Sequence, residues 1–342
     1  DVSGVFNRYH CSAARSFYLG EPPKDVLKFY SKAVGVFEII EKIYETRSLY
    51  YVKRGSRLSI PRTLAAAPNF MSIMRGNASI LEKVLEEFKP DAVVADSIYS
   101  SRTIKQRGIP LVNINNADVV VATKRNRGSL PTSVMAQYRF VEYFDYLYHK
   151  YVPDVVLSPS LDPTPTALHS RIHQIGPIFR SGLEVVGKSA PRALIMLSGS
   201  VFGTQVALSK TSYKVPIDVV GRDAPLDAEQ NREVRYLGRQ ADSKPYINSS
   251  TMAMVNGGFS AVSEMFYRRC PMVVLPVPGH AEQWVNANTI ERLGVGISAS
   301  EPELEDKLNE LIERAEEFSH AYKRLPLPRD GAAQAAKIIM KL

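Results

Sequence analysis

The feature that most constrains the fold is a series of short apolar runs, rich in β-branched residues, that alternates with helical patterns along most of the chain. Because these runs are apolar at successive positions, the predicted strands need cover on both faces, as in parallel sheets flanked by helices. The predicted strands are residues 34–40, 92–95, 110–114, 155–158 and 172–175 in the first half, and residues 193–197, 217–220, 234–237, 252–255, 272–275 and 295–299 in the second. The pattern predicts an α/β protein with two doubly wound, Rossmann-like parallel sheets.

The two predicted sheets are assigned to two domains, because 342 residues with 45% hydrophobic and 23% charged residues suffice for two cores. A segment with several glycines and prolines separates the sheets, and we predict domains at residues 1–178 and 179–328. The last helix, within residues 329–342, follows a proline-rich bend and is long enough to pack back on the first domain. Ligands of such folds bind at the carboxyl ends of the strands, which here would face one cleft.

The formal net charge of +8 favours an anionic partner, and charge alone does not choose between a phosphorylated ligand, a nucleic acid and an anionic membrane. The two cysteines, Cys11 and Cys270, lie far apart in sequence, which favours a reducing compartment. Since neither a signal peptide nor an apolar run of about 18 residues is visible, we expect a cytoplasmic protein.

A glycine pair opens the segment that carries the most chemical information. The strand predicted at 252–255 ends there, and a helix is predicted to begin near Ser260. Glycine lets a phosphate approach the backbone, and the amides at a helix N-terminus attract the anion. Glu264 falls one turn into the helix, where its carboxylate would accept hydrogen bonds from two ribose hydroxyls; an ordinary strand–helix turn with a solvated glutamate is the alternative. The candidate nucleotide-binding residues here are Asn256, Gly257, Gly258, Phe259, Ser260 and Glu264.

A second polar segment follows the strand predicted at 272–275. It places His280, Glu282 and Gln283 at the head of another helical pattern, beside the same expected cleft. A carboxylate and an amide in this position suit the hydroxyls of a hexose, so these three residues are candidates for binding a sugar. The alternative for His280 is an ordinary loop residue, and Asn286 would cap or brace the loop.

Together, residues 256–296 resemble the donor-binding segment of inverting GT-B glycosyltransferases, both the MurG-type N-acetylglucosaminyltransferases and the UDP-sugar transferases of macrolides and plants. The pattern of that superfamily is Gly-Gly, a Glu six residues after the second Gly, and then Asp/Glu-Gln-x-x-Asn-Ala. The residues that fill it are Gly257, Gly258, Glu264, Glu282, Gln283, Asn286 and Ala287. The resemblance implies that Glu264 holds the ribose, that the glycines meet the pyrophosphate, and that Glu282 and Gln283 hold the donor sugar. Asn256 stands where the family often has His.

The resemblance covers the second domain well and the first loosely. It implies that residues 179–328 bind the nucleotide-sugar and residues 1–178 the acceptor. In the second domain it adds a Gly/Ser-rich loop over the diphosphate and a segment at the edge of the base. The residues concerned are Ser198, Gly199, Ser200, Arg239 and Gln240.

The catalytic base would come from the first domain, where the family's glycine-rich loop carries a histidine. Most of its glycines are missing from residues 3–16, although His10 can still be aligned. If the alignment holds, His10 deprotonates the acceptor hydroxyl, a role that suits imidazole near neutral pH; the alternative is a histidine at a helix start with no proton to move. Asp96 would orient such a histidine, touch the acceptor, or cap the next helix.

Metal-dependent transferases bind manganese and diphosphate through an Asp-x-Asp pair, and no such pair or zinc-type Cys/His cluster occurs in the sequence. Retaining relatives place a Glu eight residues before the helix acid, and Asn256 occupies that position. We therefore expect an inverting reaction without metal or cofactor, in which backbone amides, serine hydroxyls and the helix dipole stabilise the departing nucleotide.

A basic loop at residues 121–131 precedes an aromatic segment at residues 138–151. Aromatic and basic residues together suit a membrane interface, where rings lie at headgroup depth and Lys or Arg meets anionic lipid. A core helix rich in tyrosine, with a solvated loop before it, explains the same residues. Nucleic acid is not expected, because no recognition motif accompanies the charge.

The leading hypothesis is a metal-independent, inverting glycosyltransferase that moves a sugar from UDP-GlcNAc or UDP-glucose to a hydroxyl acceptor, with a lipid-linked acceptor at the inner face of the membrane among the options. One alternative is a UDP-sugar 2-epimerase, which shares the architecture and needs no acceptor. The other is a non-catalytic, donor-binding subunit, suggested by the missing glycines between Gly4 and His10.

Overall fold

A computed structural model describes residues 9–13, 40–45, 53–54, 57–58, 68–95, 101–127, 130–162, 169–187, 189–197, 208, 213–224, 233–238, 240 and 242–342. Near its start, strands β1 (Tyr9–Ala13) and β2 (Ile40–Glu45) pair in parallel, and β3 (Lys53–Arg54) pairs with β4 (Arg57–Leu58) in an antiparallel hairpin. Of the strand predicted at 34–40, residues 34–39 lie outside the described residues, and residue 40 belongs to β2. Both β1 and β2 mix polar with apolar residues, and a search for apolar runs does not find such strands.

The first domain contains a four-stranded parallel sheet whose strands follow one another in chain order. Its strands are β5 (Val93–Ala95), β6 (Leu111–Ile114), β7 (Val155–Pro159) and β8 (Ile172–Ile175). Its helices are α1 (Pro68–Phe88), α2 (Arg102–Gln106), α3 (Ala117–Arg127), α4 (Met135–Gln137) and α5 (Tyr143–Tyr151), with a 3₁₀ turn at Thr132–Val134 and a π-helical segment at Tyr138–Glu142. The strands predicted at 92–95, 110–114, 155–158 and 172–175 are confirmed to within one residue at each end.

The second domain contains a six-stranded, all-parallel sheet in the order β11-β10-β9-β12-β13-β14. Its strands are β9 (Ala193–Met196), β10 (Ile217–Val220), β11 (Val234–Tyr236), β12 (Met252–Asn256), β13 (Met272–Leu275) and β14 (Gly296–Ser298). The chain first builds the sheet outward from β9 to β11 and then returns to β12 on its other side. The crevice at the carboxyl ends of β9 and β12, where the order reverses, is where such sheets bind ligands.

Helices α6 (Lys244–Ser249), α7 (Phe259–Tyr267), α8 (Ala281–Arg292) and α9 (Leu304–Arg324) belong to the second domain, with a 3₁₀ turn at Glu301–Glu303. They bury both faces of its sheet: Ile195 packs into one apolar cluster with α9, and its neighbour Leu194 packs into another with α7 and α8. The continuous apolar runs of the sequence therefore correspond to strands that are covered on both sides.

Helix α10 (Gly331–Ile339) crosses back to the first domain and packs on its sheet. Ala335 lies there in one buried cluster with Val112 and Leu157. At the crossing, the backbones of Gly176 and Gly331 touch so closely that a Cβ on Gly331 would lie 2.0 Å from the carbonyl oxygen of Gly176. Only glycine fits such an approach of two backbones.

In the part of the chain that the structure describes, no helix is both long enough and apolar enough to span a bilayer.

Candidate functional site

The glycine loop (residues 256–260) lies at the carboxyl end of β12, beside the point where the strand order reverses. Gly257 is packed on one side, because a Cβ there would lie 2.8 Å from the Cβ of Gln283 and 3.2 Å from the Cα of Pro276. Asn286 donates from Nδ2 to the Gly257 carbonyl at 2.9 Å, so it braces the loop. These contacts fix the loop against α8.

The other side of the glycine loop is open. A Cβ on Gly258 would meet nothing within 4 Å, and Ser260 is exposed. Gly258 is the residue before α7, so the first amides of that helix face the open side without a side-chain cap. Uncapped N–H groups at the positive end of a helix dipole attract anions.

Glu264 lies one turn into α7, is 5% exposed, and pairs with a cation, Arg180, that the sequence pattern does not indicate. Arg180 donates from Nε to one carboxylate oxygen of Glu264 at 2.5 Å and from Nη2 to the other at 3.2 Å. Burial raises the pKa of Glu264, and the guanidinium of Arg180 opposes that rise. The Arg180 side chain is 41% exposed, and its Nη1 also lies 3.7 Å from Oδ1 of Asp242, so two carboxylates share its positive charge.

The neighbourhood of Arg180 is aromatic and polar. Phe179 stacks on Tyr267 with ring centroids 3.8 Å apart, and Nη1 of Arg180 donates to the Ser243 hydroxyl at 3.1 Å. Gln240 is engaged within its own domain, because it donates to the Leu237 carbonyl and accepts from the Tyr246 hydroxyl at 3.3 Å.

The residues predicted to hold a sugar form the α8 turn (residues 280–283), the start of that helix. His280 is 6% exposed, and burial lowers its pKa to about 4, so the imidazole is neutral at pH 7. Glu282 accepts from Asn116 Nδ2 at 3.1 Å and also contacts Asn286; burial raises the pKa of Glu282. Gln283 accepts from the Val277 amide through Oε1 at 2.9 Å, so the turn is rigidly placed.

The first domain contacts the α8 turn directly. The Ala281 amide donates to Oε1 of Gln137 at 2.9 Å, and Val120 and Val134 of the first domain pack with Val285 of α8. Asn116 and Gln137 had no signal in the sequence, because their partners lie more than a hundred residues further along the chain.

The remaining predicted residues are not brought into the site by anything the structure describes. His10 is the second residue of β1, within a strand whose backbone alone is described. The residues outside the described ranges are Asp96, Ser198, Gly199, Ser200 and Arg239. Their assigned roles stay predictions.

The described part of the chain places no three His, Cys, Asp or Glu side chains together in an arrangement that would hold a metal ion.

The family of the protein follows from comparison with known families. A family model described as glycosyl transferase family 1 matches residues 32–315. The chain belongs to this family.

Two relatives of this family-1 glycosyltransferase agree with the assignment. A protein of Methanosarcina acetivorans named uncharacterized glycosyltransferase is 27% identical over 311 residues, covering 83% of this chain and 79% of that protein. The UDP-N-acetylglucosamine–N-acetylmuramyl-(pentapeptide) pyrophosphoryl-undecaprenol N-acetylglucosamine transferase of Thermosipho melanesiensis is 25% identical over 331 residues, covering 93% of this chain and 90% of that protein.

A solved structure supports the fold. The kitacinnamycin glycotransferase superposes on this chain with a TM-score of 0.60 at 18% identity, over 91% of this chain and 89% of that one. The GT-B architecture expected from the resemblance is confirmed, and the protein is a glycosyltransferase.

Proposed function

We propose that this glycosyltransferase moves a sugar from a UDP-sugar, UDP-GlcNAc or UDP-glucose, to a hydroxyl acceptor, with inversion and without a metal. The observation that carries the proposal is the pairing of Glu264 with Arg180 beside the open face of the glycine loop. A carboxylate for ribose hydroxyls, a cation and free helix amides are there combined within one crevice. The Thermosipho relative, named for a UDP-N-acetylglucosamine donor, supports the choice of a uridine nucleotide.

The diphosphate would lie over Gly258 and the first amides of α7, with the exposed face of Arg180 beside it. As the bond to the sugar breaks, negative charge grows on the diphosphate, and preorganised amides and a guanidinium stabilise that charge without a metal. The donor sugar would extend toward Glu282 and Gln283 on the α8 turn.

In an inverting displacement the acceptor oxygen attacks the anomeric carbon from the side opposite the nucleotide and loses its proton as it does so. The nucleotide is assigned to the second domain, so the base is assigned to the first. His10 is the proposed base, with Asp96 as its orienting partner or its replacement.

We further propose a lipid-linked acceptor, reached at the cytoplasmic face of a membrane to which the protein binds peripherally. The Thermosipho relative is named for an undecaprenol-linked acceptor. In this chain Phe140, Phe144 and Tyr151 recur at helical spacing with 49%, 60% and 66% of their surface exposed. These three residues, termed the aromatic face, lie near the exposed cation Arg139 and beside Lys150, whose Nζ is 5.1 Å from the Tyr151 ring centroid.

The test is UDP release from UDP-GlcNAc or UDP-glucose, with and without polyprenyl-diphosphate-linked sugars, in buffer containing EDTA. We expect release that depends on the acceptor. In Glu264→Ala the affinity for UDP should fall about tenfold or more, because charge-assisted hydrogen bonds of about 1.5–3 kcal/mol are lost. In His10→Ala turnover should fall about 10²–10⁴-fold with UDP binding nearly intact.

Conversion of the UDP-sugar to an isomer without any acceptor would indicate an epimerase instead of a transferase. Binding of the UDP-sugar without turnover would indicate a donor-binding subunit. Activity that is lost in EDTA and restored by manganese would contradict the metal-free mechanism.

A further inference from the structure

The first turn of α8 is joined to the first domain by a chain of buried hydrogen bonds. Gln137, 1% exposed, accepts from the Ala281 amide through Oε1 at 2.9 Å and donates from Nε2 to Oε1 of Glu142 at 2.6 Å. Asn116 donates to Glu282, the next residue of the turn, at 3.1 Å. Two consecutive residues of the turn are thus held from across the domain interface.

The Ala281 amide and the Glu142 carboxyl together set which way the Gln137 amide faces. The side-chain amide of glutamine has one accepting and one donating end. The Glu142 carboxyl, 6% exposed, takes the donating end, which leaves the accepting oxygen for the Ala281 amide. With the amide reversed, its NH₂ group would face another donor, and two buried donors would be left without an acceptor.

The same turn is also anchored to the second domain. Gln283 accepts from the Val277 amide and packs its Cβ against Gly257, so its side chain spans from α8 to the glycine loop. An apolar cluster packs α8 against the first domain; its buried members are Val120, Val121, Leu130, Val134, Tyr138, Ala281 and Val285. The orientation of the turn therefore depends on contacts with both domains at once.

We propose that Gln137 and Glu142 are positioning residues for recognition of the donor sugar: they hold the α8 turn so that Glu282 and Gln283 present their polar groups to the sugar hydroxyls. This rests on the proposed function, in which the sugar lies at that turn. The nucleotide is assigned to groups of the second domain alone, so the effect of Gln137 falls on the sugar and spares the uridine diphosphate.

The experiment compares the affinities for UDP and for UDP-GlcNAc or UDP-glucose, whichever the wild type binds, by calorimetry. Gln137→Met keeps the size of the side chain and removes both hydrogen bonds. We expect it to weaken binding of the UDP-sugar about tenfold relative to UDP. Gln334→Met is the matched control, because Gln334 accepts from the Gly176 amide at 2.7 Å, at the crossing of α10 with the first domain rather than at the α8 turn; it should leave the ratio unchanged.

A second pair of variants separates positioning from damage to the fold. Glu142→Leu removes the acceptor of the Gln137 Nε2 hydrogen bond and should lower the affinity for the UDP-sugar relative to UDP. Glu142→Gln retains an acceptor and should keep this ratio at the wild-type value. A Gln137→Met protein with the wild-type ratio, or one that loses UDP and UDP-sugar equally, would overturn the positioning role. A wild-type protein that binds the UDP-sugar no more tightly than UDP would also overturn the positioning role. A wild-type protein that binds no uridine nucleotide would overturn the proposed function itself.

Discussion

Gly257 and Gly258 are adjacent in sequence but meet different surroundings. The first is packed against Gln283 and Pro276, and the second borders open space. Gly257→Ala would force a Cβ to within 2.8 Å of Gln283, so either the loop or α8 must move. We expect a loss of about 1–3 kcal/mol in the free energy of unfolding, measured by urea denaturation.

Gly258→Ala is the control for that change. Its φ of −63° and ψ of 136° suit alanine, so stability should be unchanged or slightly higher. UDP binding should nevertheless weaken, because the new methyl group stands where the diphosphate is proposed to lie. Equal destabilisation by both substitutions would show that the packing of Gly257 is not what requires glycine there.

For single residues, the sequence predicts site residues that lie close together along the chain. It does not predict site residues that come from distant parts of the chain. Glu264, Glu282 and Gln283 share one segment with the glycine pair, and their spacing identified them. Arg180 reaches Glu264 from 84 positions away, and nothing in its local sequence marks it. Pairing between distant side chains is set by the sheet topology, which residue spacing does not encode.

The helical segment from Tyr138 to Tyr151 has one buried side and one exposed side. Tyr138 and Glu142 are buried against the second domain, while the aromatic face is exposed. The buried side agrees with the tyrosine-rich core helix that the sequence left open as one explanation. The exposed rings near basic residues are the basis of the proposed membrane contact, which stays a prediction.

The prediction at this scale concerns vesicle binding. The double variant Phe140→Ser/Phe144→Ser should bind vesicles containing anionic lipid at least about tenfold more weakly in sedimentation assays, since it loses two rings from the interface. The control is Leu327→Ser/Met340→Ser, which removes two exposed apolar side chains from the C-terminal segment instead. Equal binding by both variants would contradict a role for the aromatic face.

Elements of the second domain were predictable because their apolar runs are short, continuous and bounded by turn residues. The first domain was less so. Helix α1 begins at Pro68, although apolar residues recur at regular helical spacing only toward its end, over residues 80–88. The polar strand β1, which contains His10, has no apolar run at all.

For the whole molecule, the crossing of Gly176 and Gly331 joins the two ends of the first domain. Gly331→Ala would push a Cβ into the Gly176 carbonyl, so α10 cannot keep its place without moving the strand end. We expect a loss of at least about 2 kcal/mol in the free energy of unfolding, measured by thermal denaturation.

Gly187→Ala provides the comparison, because a Cβ there meets nothing within 4 Å. It should change stability by no more than about 0.5 kcal/mol. A Gly331→Ala protein that melts at the wild-type temperature would mean that α10 is not firmly held at the crossing.

The return of α10 also sets an order for synthesis. Strands β5 to β8 leave the ribosome early, yet the helix that covers Val112, Leu157 and Ile175 is translated only after the entire six-stranded sheet. At about 5–20 residues per second, the roughly 150 intervening residues occupy the ribosome for on the order of ten seconds. During that interval the nascent first domain carries an uncovered apolar surface, a natural substrate for chaperones, while the second domain has all of its strands and can already fold.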